Sequence, residues 1–231
     1  MPTVADMVAA AAAAKRLERA LDGTGVDIAI VARVGADLSR FGVTWTHAGI
    51  AWRDDPAGRW QVVHALNDRA GRFSRLYRQG LMTFFLDDPL CYDALVLVPD
   101  ESLRRGLVDR LAAGTAIILH QPHYSAIAYP FATTYQNSNQ FVLENLALAH
   151  VGRRDGDREA AIEHLQRTQF HPHTLRFSSV DRLGSSLKAN VRFDDHPRAS
   201  AETNRYAVVT VEAIERWLTT AGALTARIEI R

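Results

Sequence analysis

Apolar and polar positions along this chain recur at helical spacing, run together or alternate, and each pattern predicts a different element. MVAAAAAAKRLERAL (7–21) repeats small apolar residues around charged ones and predicts an amphipathic N-terminal helix over 1–22. DGTG (22–25) breaks that pattern, and VDIAIVARVG (26–35) reads as a buried strand. VTWTHAGIAWR (43–53) and RWQVVHAL (59–66) follow as strands, joined by the turn signal DDPAG (54–58) into a hairpin. A helical stretch is expected over 67–83, and ALVLVP (94–99) is another strand. DESLRRGLVDRLAAG (100–114) carries Asp100 at its N-cap and Gly114 past its last turn, as a helix should. The aromatic-rich run 116–135 is irregular; helices then begin near 138 and span 157–167. TLRFSSVDRLG (174–184), ANVRFDDHP (189–197) and ARIEI (226–230) read as strands, and YAVVTVEAIERWLTTAG (206–222) as a strand leading into a helix. No repeat or low-complexity linker divides the chain. The expectation is one α+β domain over 1–231 with an antiparallel sheet: the helix 1–22, a core segment 26–150, and an extension 151–231 that completes the sheet.

Composition narrows the picture. A chain of 231 residues with 47% hydrophobic and 23% charged positions is long enough to need no staples; such a domain buries roughly 70–75% of its unfolded surface. The net charge of +1, with lysine only at 15 and 188, gives no basic stripe with interleaved aromatics and argues against nucleic acid as a partner. Cys91 is alone, so neither an internal disulfide nor a cysteine metal site is available. No run approaches the roughly 20 apolar residues that span a bilayer. The alanine-rich start lacks the leucines of a secretory signal, and Lys15 and Arg16 follow it instead of preceding it. The cytoplasm is the default compartment, with the periplasm open if a leader is trimmed away. The sequence leaves the oligomeric state undefined.

Two histidines stand out on the hairpin. His64 shares the apolar face of its strand with Trp60, Val62 and Leu66. If Trp52 and Arg59 close the turn, His47 lies directly opposite His64, within about 4.5–5.5 Å between Cβ atoms. A single buried histidine is ordinarily a satisfied core residue. In a facing pair, burial disfavours double protonation, and one ring can hold the other in a chosen tautomer, the arrangement of a base with its orienting group. Gly49, on the same face as His47, leaves room for another group.

A second unusual feature is QNSNQ (136–140), five polar side chains directly before the apolar helical run from Phe141. Asn137 is a good N-cap, and Gln140 can reach back to it as in a capping box. Ser138 then occupies the first helical position, where free N–H groups and the helix dipole favour negative charge. A hydroxyl there can attack a carbonyl, and the same N–H groups can hold the oxyanion. The plainer reading is that these residues only cap the helix.

THAGIAW (46–52), the strand ending at His64, and NSNQFV (137–142) together resemble the circularly permuted branch of the papain-like fold. That branch includes lecithin–retinol acyltransferase and relatives of NlpC-type cell-wall amidases. ARVGADLSRFG (32–42) is similar to the stretch those proteins carry before the histidine strand. With FFLDDP, YQNSNQFVLE and FDDHP, most of the chain resembles an uncharacterised bacterial family, domain of unknown function 2145. The papain-like resemblance, over about 28–145, implies His47 as base, His64 as orienting residue and Ser138 at the nucleophile position. The departure is serine in place of cysteine: a thiol with a pKa of about 8.5 ionises beside histidine, whereas an alcohol must lose its proton during attack. Either the site works as a serine hydrolase or acyltransferase, or the cleft binds without reacting. Tyr135 and Asn137 are candidate wall or oxyanion groups, with Gln140 beside them. Arg33 could anchor a substrate carboxylate or pair with a structural acid such as Asp37.

Three functions therefore compete. The first is acyl transfer, an amide or ester hydrolase or an acyltransferase, acting on a peptide or small acyl-containing substrate without a cofactor. The second is a catalytically inactive papain-like domain that binds a peptide or acyl ligand. The third is a metal-dependent hydrolase using His120, His123, His171, His173, Asp194, Asp195 and His196. Catalytic zinc takes three such ligands. HxxH outside a helix has no defined geometry, however, so polar turns explain these residues better and no metal ligand is assigned.

Overall fold

A computed structural model of the chain describes residues 2–68, 71–87, 89–178 and 189–231. Its centre is a six-stranded, wholly antiparallel sheet. The strands are β1 (Ile28–Arg33), β2 (His47–Trp52), β3 (Gln61–Asn67), β4 (Ser74–Gly80), β5 (Ala94–Pro99) and β8 (Leu224–Ile230). They lie in the order β4-β3-β2-β1-β5-β8. Two further strands, β6 (His173–Arg176) and β7 (Arg205–Val208), form a separate ribbon. The expected α+β class with an antiparallel sheet is the class observed.

Helices cover both faces of the sheet. On one face lies α1 (Val4–Thr24), whose Ala10, Ala13, Leu17 and Leu21 are buried against Val31, Val62, Val96 and the aromatic rings of Phe84 and Phe85. Thr3 and Asp6 close a capping box at its start, and Gly25, at φ 70°, ends it. The other face carries α3 (Glu101–Ala112), α4 (Ser138–His150), α5 (Arg158–Arg167) and α7 (Val211–Thr220). The short helices α2 (Leu81–Phe84) and α6 (Arg198–Thr203) complete the set among the described residues. Covering both faces explains why β1, β2 and β5 are buried at every position and read as unbroken apolar runs. From Ser138 to Ala149, α4 is buried at every residue, so it has no solvent stripe to betray it.

Three expectations are corrected. The stretch 67–83 is not helical: β4 pairs with β3 from Gln61↔Gly80 to Asn67↔Ser74, and only Leu81–Phe84 makes a helical turn. Cross-strand pairing at the sheet edge overrides the helical spacing of its arginines. The hairpin closes at Arg53 and Trp60, whose N–H donates to the Arg53 carbonyl at 3.1 Å, so Trp52 pairs with Gln61 and not with Arg59. Trp60 adopts φ 52° there and donates its indole N–H to Asp22. Finally, 189–197 is irregular backbone, with Pro197 capping α6. Asp88 of FFLDDP, Lys188 and residues 179–184 of the proposed strand lie outside the described residues.

Candidate active site

The hairpin register decides how the two histidines meet. The shift is two residues, which keeps every side chain on its expected face. His47 and His64 therefore stay on one face but stand diagonally, not opposite. Diagonal neighbours are about 7–8 Å apart at the backbone, within reach of ring side chains. The rings close the gap: His47 Nε2 lies 2.8 Å from His64 Nδ1, with ring centroids 5.1 Å apart at 69°. Gly49 makes this possible. A Cβ at that position would sit 2.4 Å from Val62 Cγ1 and 3.1 Å from His64 Cβ, so the space expected beside His47 is filled by β3 itself.

The five polar residues at the start of α4 have five separate tasks, and all five are buried. Gln136 accepts from the Gln121 N–H at 3.0 Å and donates to the Leu119 carbonyl and to Glu144. Asn137 is the N-cap, accepting from the Gln140 N–H at 2.8 Å. Ser138 places its Oγ 3.0 Å from His47 Nδ1. Asn139 accepts from the Ala48 N–H at 3.0 Å, which ties the helix start to β2 one residue beyond His47. Gln140 does not complete a capping box; its amide N–H groups point to the Tyr129 and Pro130 carbonyls. The cap spends the Gln140 N–H and leaves the N–H groups of Ser138 and Asn139 without an intrahelical acceptor.

Behind this start stands a buried ion pair. Arg158 grips Glu144 at 2.8–3.1 Å and also donates to the carbonyls of Thr133 and Tyr135, fixing the loop that delivers Ser138. Burial pushes the Glu144 carboxyl upward, and Arg158 opposes that rise.

Ser138, His47 and His64 are thus brought together, and a fourth group joins them. His64 Nε2 lies 3.0 Å from Gln79 Oε1 on β4. Burial holds His47 well below the usual imidazole range, with the Arg33 guanidinium and His64 adding to the effect. Burial likewise lowers His64 to about 4; the Gln79 bond opposes this and Arg33 reinforces it. Both rings are neutral at neutral pH.

A cavity of about 960 Å³ opens onto Ser138, lined also by Arg33, His47, Asn137 and Asn139. Its walls include Val43, Ile127, Leu175, Phe177 and Val208, which belong to a third, smaller apolar cluster beside the β6–β7 ribbon. Arg33 is the cross-strand partner of His47 and forms a 3.1 Å ion pair with Asp87; Asp37 instead accepts from Ser39. Tyr135 does not line this cavity: its hydroxyl donates to Asp194 at 3.0 Å.

The scattered histidines do not converge. His120 lies 2.9 Å from Ser74 Oγ, His123 lies 3.1 Å from Gln121, and His173 and His196 donate to the carbonyls of Phe41 and Ile127. Asp194 accepts from Tyr135 and Asp195 from the Tyr129 N–H, while His171 is exposed. Among the described residues no three His, Cys, Asp or Glu side chains are grouped to hold a metal ion. Nor, among them, is any helix long and apolar enough to cross a membrane.

Gln79, Asn139 and the Glu144–Arg158 pair escape sequence reasoning. Asn139 carries a signal in hindsight, since a buried amide one position past the cap needs its own partner. The chain belongs to the family described as an uncharacterized protein conserved in bacteria (DUF2145), which it matches over residues 20–218. No curated protein and no solved structure matches it.

Proposed function

We propose that this protein is an acyl-transfer enzyme, an amide or ester hydrolase or an acyltransferase, of the circularly permuted papain-like kind. The observation that carries the reading is the 3.0 Å approach of Ser138 Oγ to His47 Nδ1 at the first turn of α4, with His64 on the far side of that ring. A histidine strand, a polar residue on the next strand, and a later helix start bearing the nucleophile follow the order of the resembled fold.

In the proposed reaction Ser138 Oγ attacks the substrate carbonyl and passes its proton to His47 Nδ1. The carbonyl π pair becomes an oxyanion, which the N–H groups at the α4 start stabilise. The oxyanion collapses, the bond to the leaving group breaks, and His47 returns the proton to that group. Water, or an amine or alcohol acceptor, then attacks the acyl carbon with His47 again taking the proton; the Ser138 Oγ–acyl bond breaks, the acyl product leaves, and His47 returns the proton to Ser138 Oγ. Arg33 and Asn137 line the same cavity and are the substrate-contacting side chains.

One feature favours a second reading, a cleft that binds an acyl or peptide ligand without turnover. His47 is a weak base, because burial and Arg33 both oppose the imidazolium. A fluorophosphonate probe separates the two readings. Covalent labelling of Ser138, lost in Ser138→Ala and in His47→Ala, supports the enzyme. An unlabelled wild-type protein that retains ligand affinity supports the binding domain.

A further inference from the structure

A chain of hydrogen bonds through neutral imidazoles has a direction. Each neutral ring offers one N–H and one lone pair, so the tautomer of one ring dictates that of the next. Here the chain steps diagonally across three strands: Ser138 Oγ to His47 Nδ1 at 3.0 Å, His47 Nε2 to His64 Nδ1 at 2.8 Å, and His64 Nε2 to Gln79 Oε1 at 3.0 Å. The last step repeats the geometry of the one before it. The backbone partner of His64 is Tyr77, and the ring reaches the residue two further along β4.

A carbonyl oxygen only accepts, and that terminates the chain in one sense. His64 must carry its N–H at Nε2 and a lone pair at Nδ1. His47 must then donate from Nε2 and keep its own lone pair at Nδ1, and the Ser138 hydroxyl must donate to it. We propose that Gln79 is a positioning residue that sets this direction, holding both imidazoles in the Nε2–H tautomer so that a lone pair faces Ser138. A donor at position 79 imposes the reverse: Nδ1–H on both rings, an N–H aimed at Ser138, and no base beside it. An uncharged acceptor also directs the relay without drawing a second proton onto His64, so the inner ring stays a clean acceptor. The inference concerns proton positions and does not depend on whether Ser138 reacts.

The test is ring tautomer by long-range ¹H–¹⁵N correlation near neutral pH, with His47 and His64 assigned through their alanine variants. The wild-type protein should show Nε2–H on both rings. Gln79→Lys should switch both rings to Nδ1–H and slow fluorophosphonate labelling of Ser138 by roughly 100-fold or more, the scale of a lost general base. Should the lysine variant fail to fold, Gln79→Leu reads the same point, because removal of the acceptor should yield mixed tautomers. Nδ1–H on either ring in the wild type overturns the inference, as does a pure Nε2–H pattern surviving in the lysine or leucine variant. An inert Ser138 beside two Nε2–H rings would sink the acyl-transfer reading and leave this one standing.

Discussion

The helix α4 has a hydrogen-bonded pair of histidines at each end. At its start, His47 and His64 meet at 2.8 Å with ring centroids 5.1 Å apart; at its end, His150 and His164 meet at 2.9 Å with centroids also 5.1 Å apart. The two contacts are nearly the same object in different settings. The first pair is buried and bounded by a hydroxyl on one side and an amide carbonyl on the other. The second has His150 exposed at the helix C-terminus, with the Trp217 ring packed edge-on at 5.4 Å between centroids. An imidazole pair is therefore not in itself a site. What terminates the chain of bonds, and at which helix pole it lies, separates a candidate proton relay from a half-buried contact between two helices.

Deleting one ring from each pair gives the sharpest contrast. His64→Ala removes the group that orients His47 and should slow probe labelling of Ser138 by roughly 10²–10⁴-fold, the range for general base catalysis. His164→Ala removes an equally close partner and should leave the labelling rate within about twofold, since its ring touches neither Ser138 nor His47. Equal losses in both variants, read by active-site titration, would erase the distinction.

The sequence makes the inner site partly legible, for identifiable reasons. Five adjacent polar residues before an apolar helix are conspicuous, because a buried helix start must satisfy every donor. Two histidines on one face of the sheet survive an error in register, because a slip of two residues preserves the face while changing the partner. The count itself is unreadable: DDPAG marks the turn but not that Trp60 takes φ 52° to close it against Arg53. Gln79 is invisible because β4 is an edge strand. Its exposed Arg75, Tyr77 and Arg78 erase the two-residue alternation of a half-buried strand, and charges are usual on such edges. The Glu144–Arg158 pair joins two helices through tertiary packing, which no local pattern encodes.

Acid should separate the pairs next. A buried histidine whose folded-state value is depressed binds its proton first in the unfolded chain, so stability is intact above about 6.5 and falls as pH drops. For His64 the window runs from 6.5 down to about 4. A gap of that size is worth about 3 kcal/mol once fully open. Urea midpoints measured across this window should fall steeply in the wild type and less steeply in His64→Gln. His164 is lowered too, by burial, His150 and Arg167, but it sits nearer solvent, so His164→Gln should flatten the profile less. A profile left unchanged by His64→Gln would mean that the inner pair is hydrated.

The smallest effects test whether packing alone distinguishes the two ends. The inner pair needs Gly49, because any Cβ there collides with Val62 and crowds the Cβ of His64. Gly49→Ala should cost about 1–3 kcal/mol in denaturant unfolding, as overpacking does in a core that cannot yield. It should also lengthen the His47–His64 bond and slow labelling. The outer pair has no such constraint. His150→Ala loses one hydrogen bond on an exposed ring and should cost only about 0.5–1.5 kcal/mol. At the inner end the backbone itself has been shaped to bring two rings together, and at the outer end two rings meet because two helices pass. If Gly49→Ala proved as mild as His150→Ala, β2 and β3 could part without consequence, and the close approach at His47 would owe nothing to the glycine.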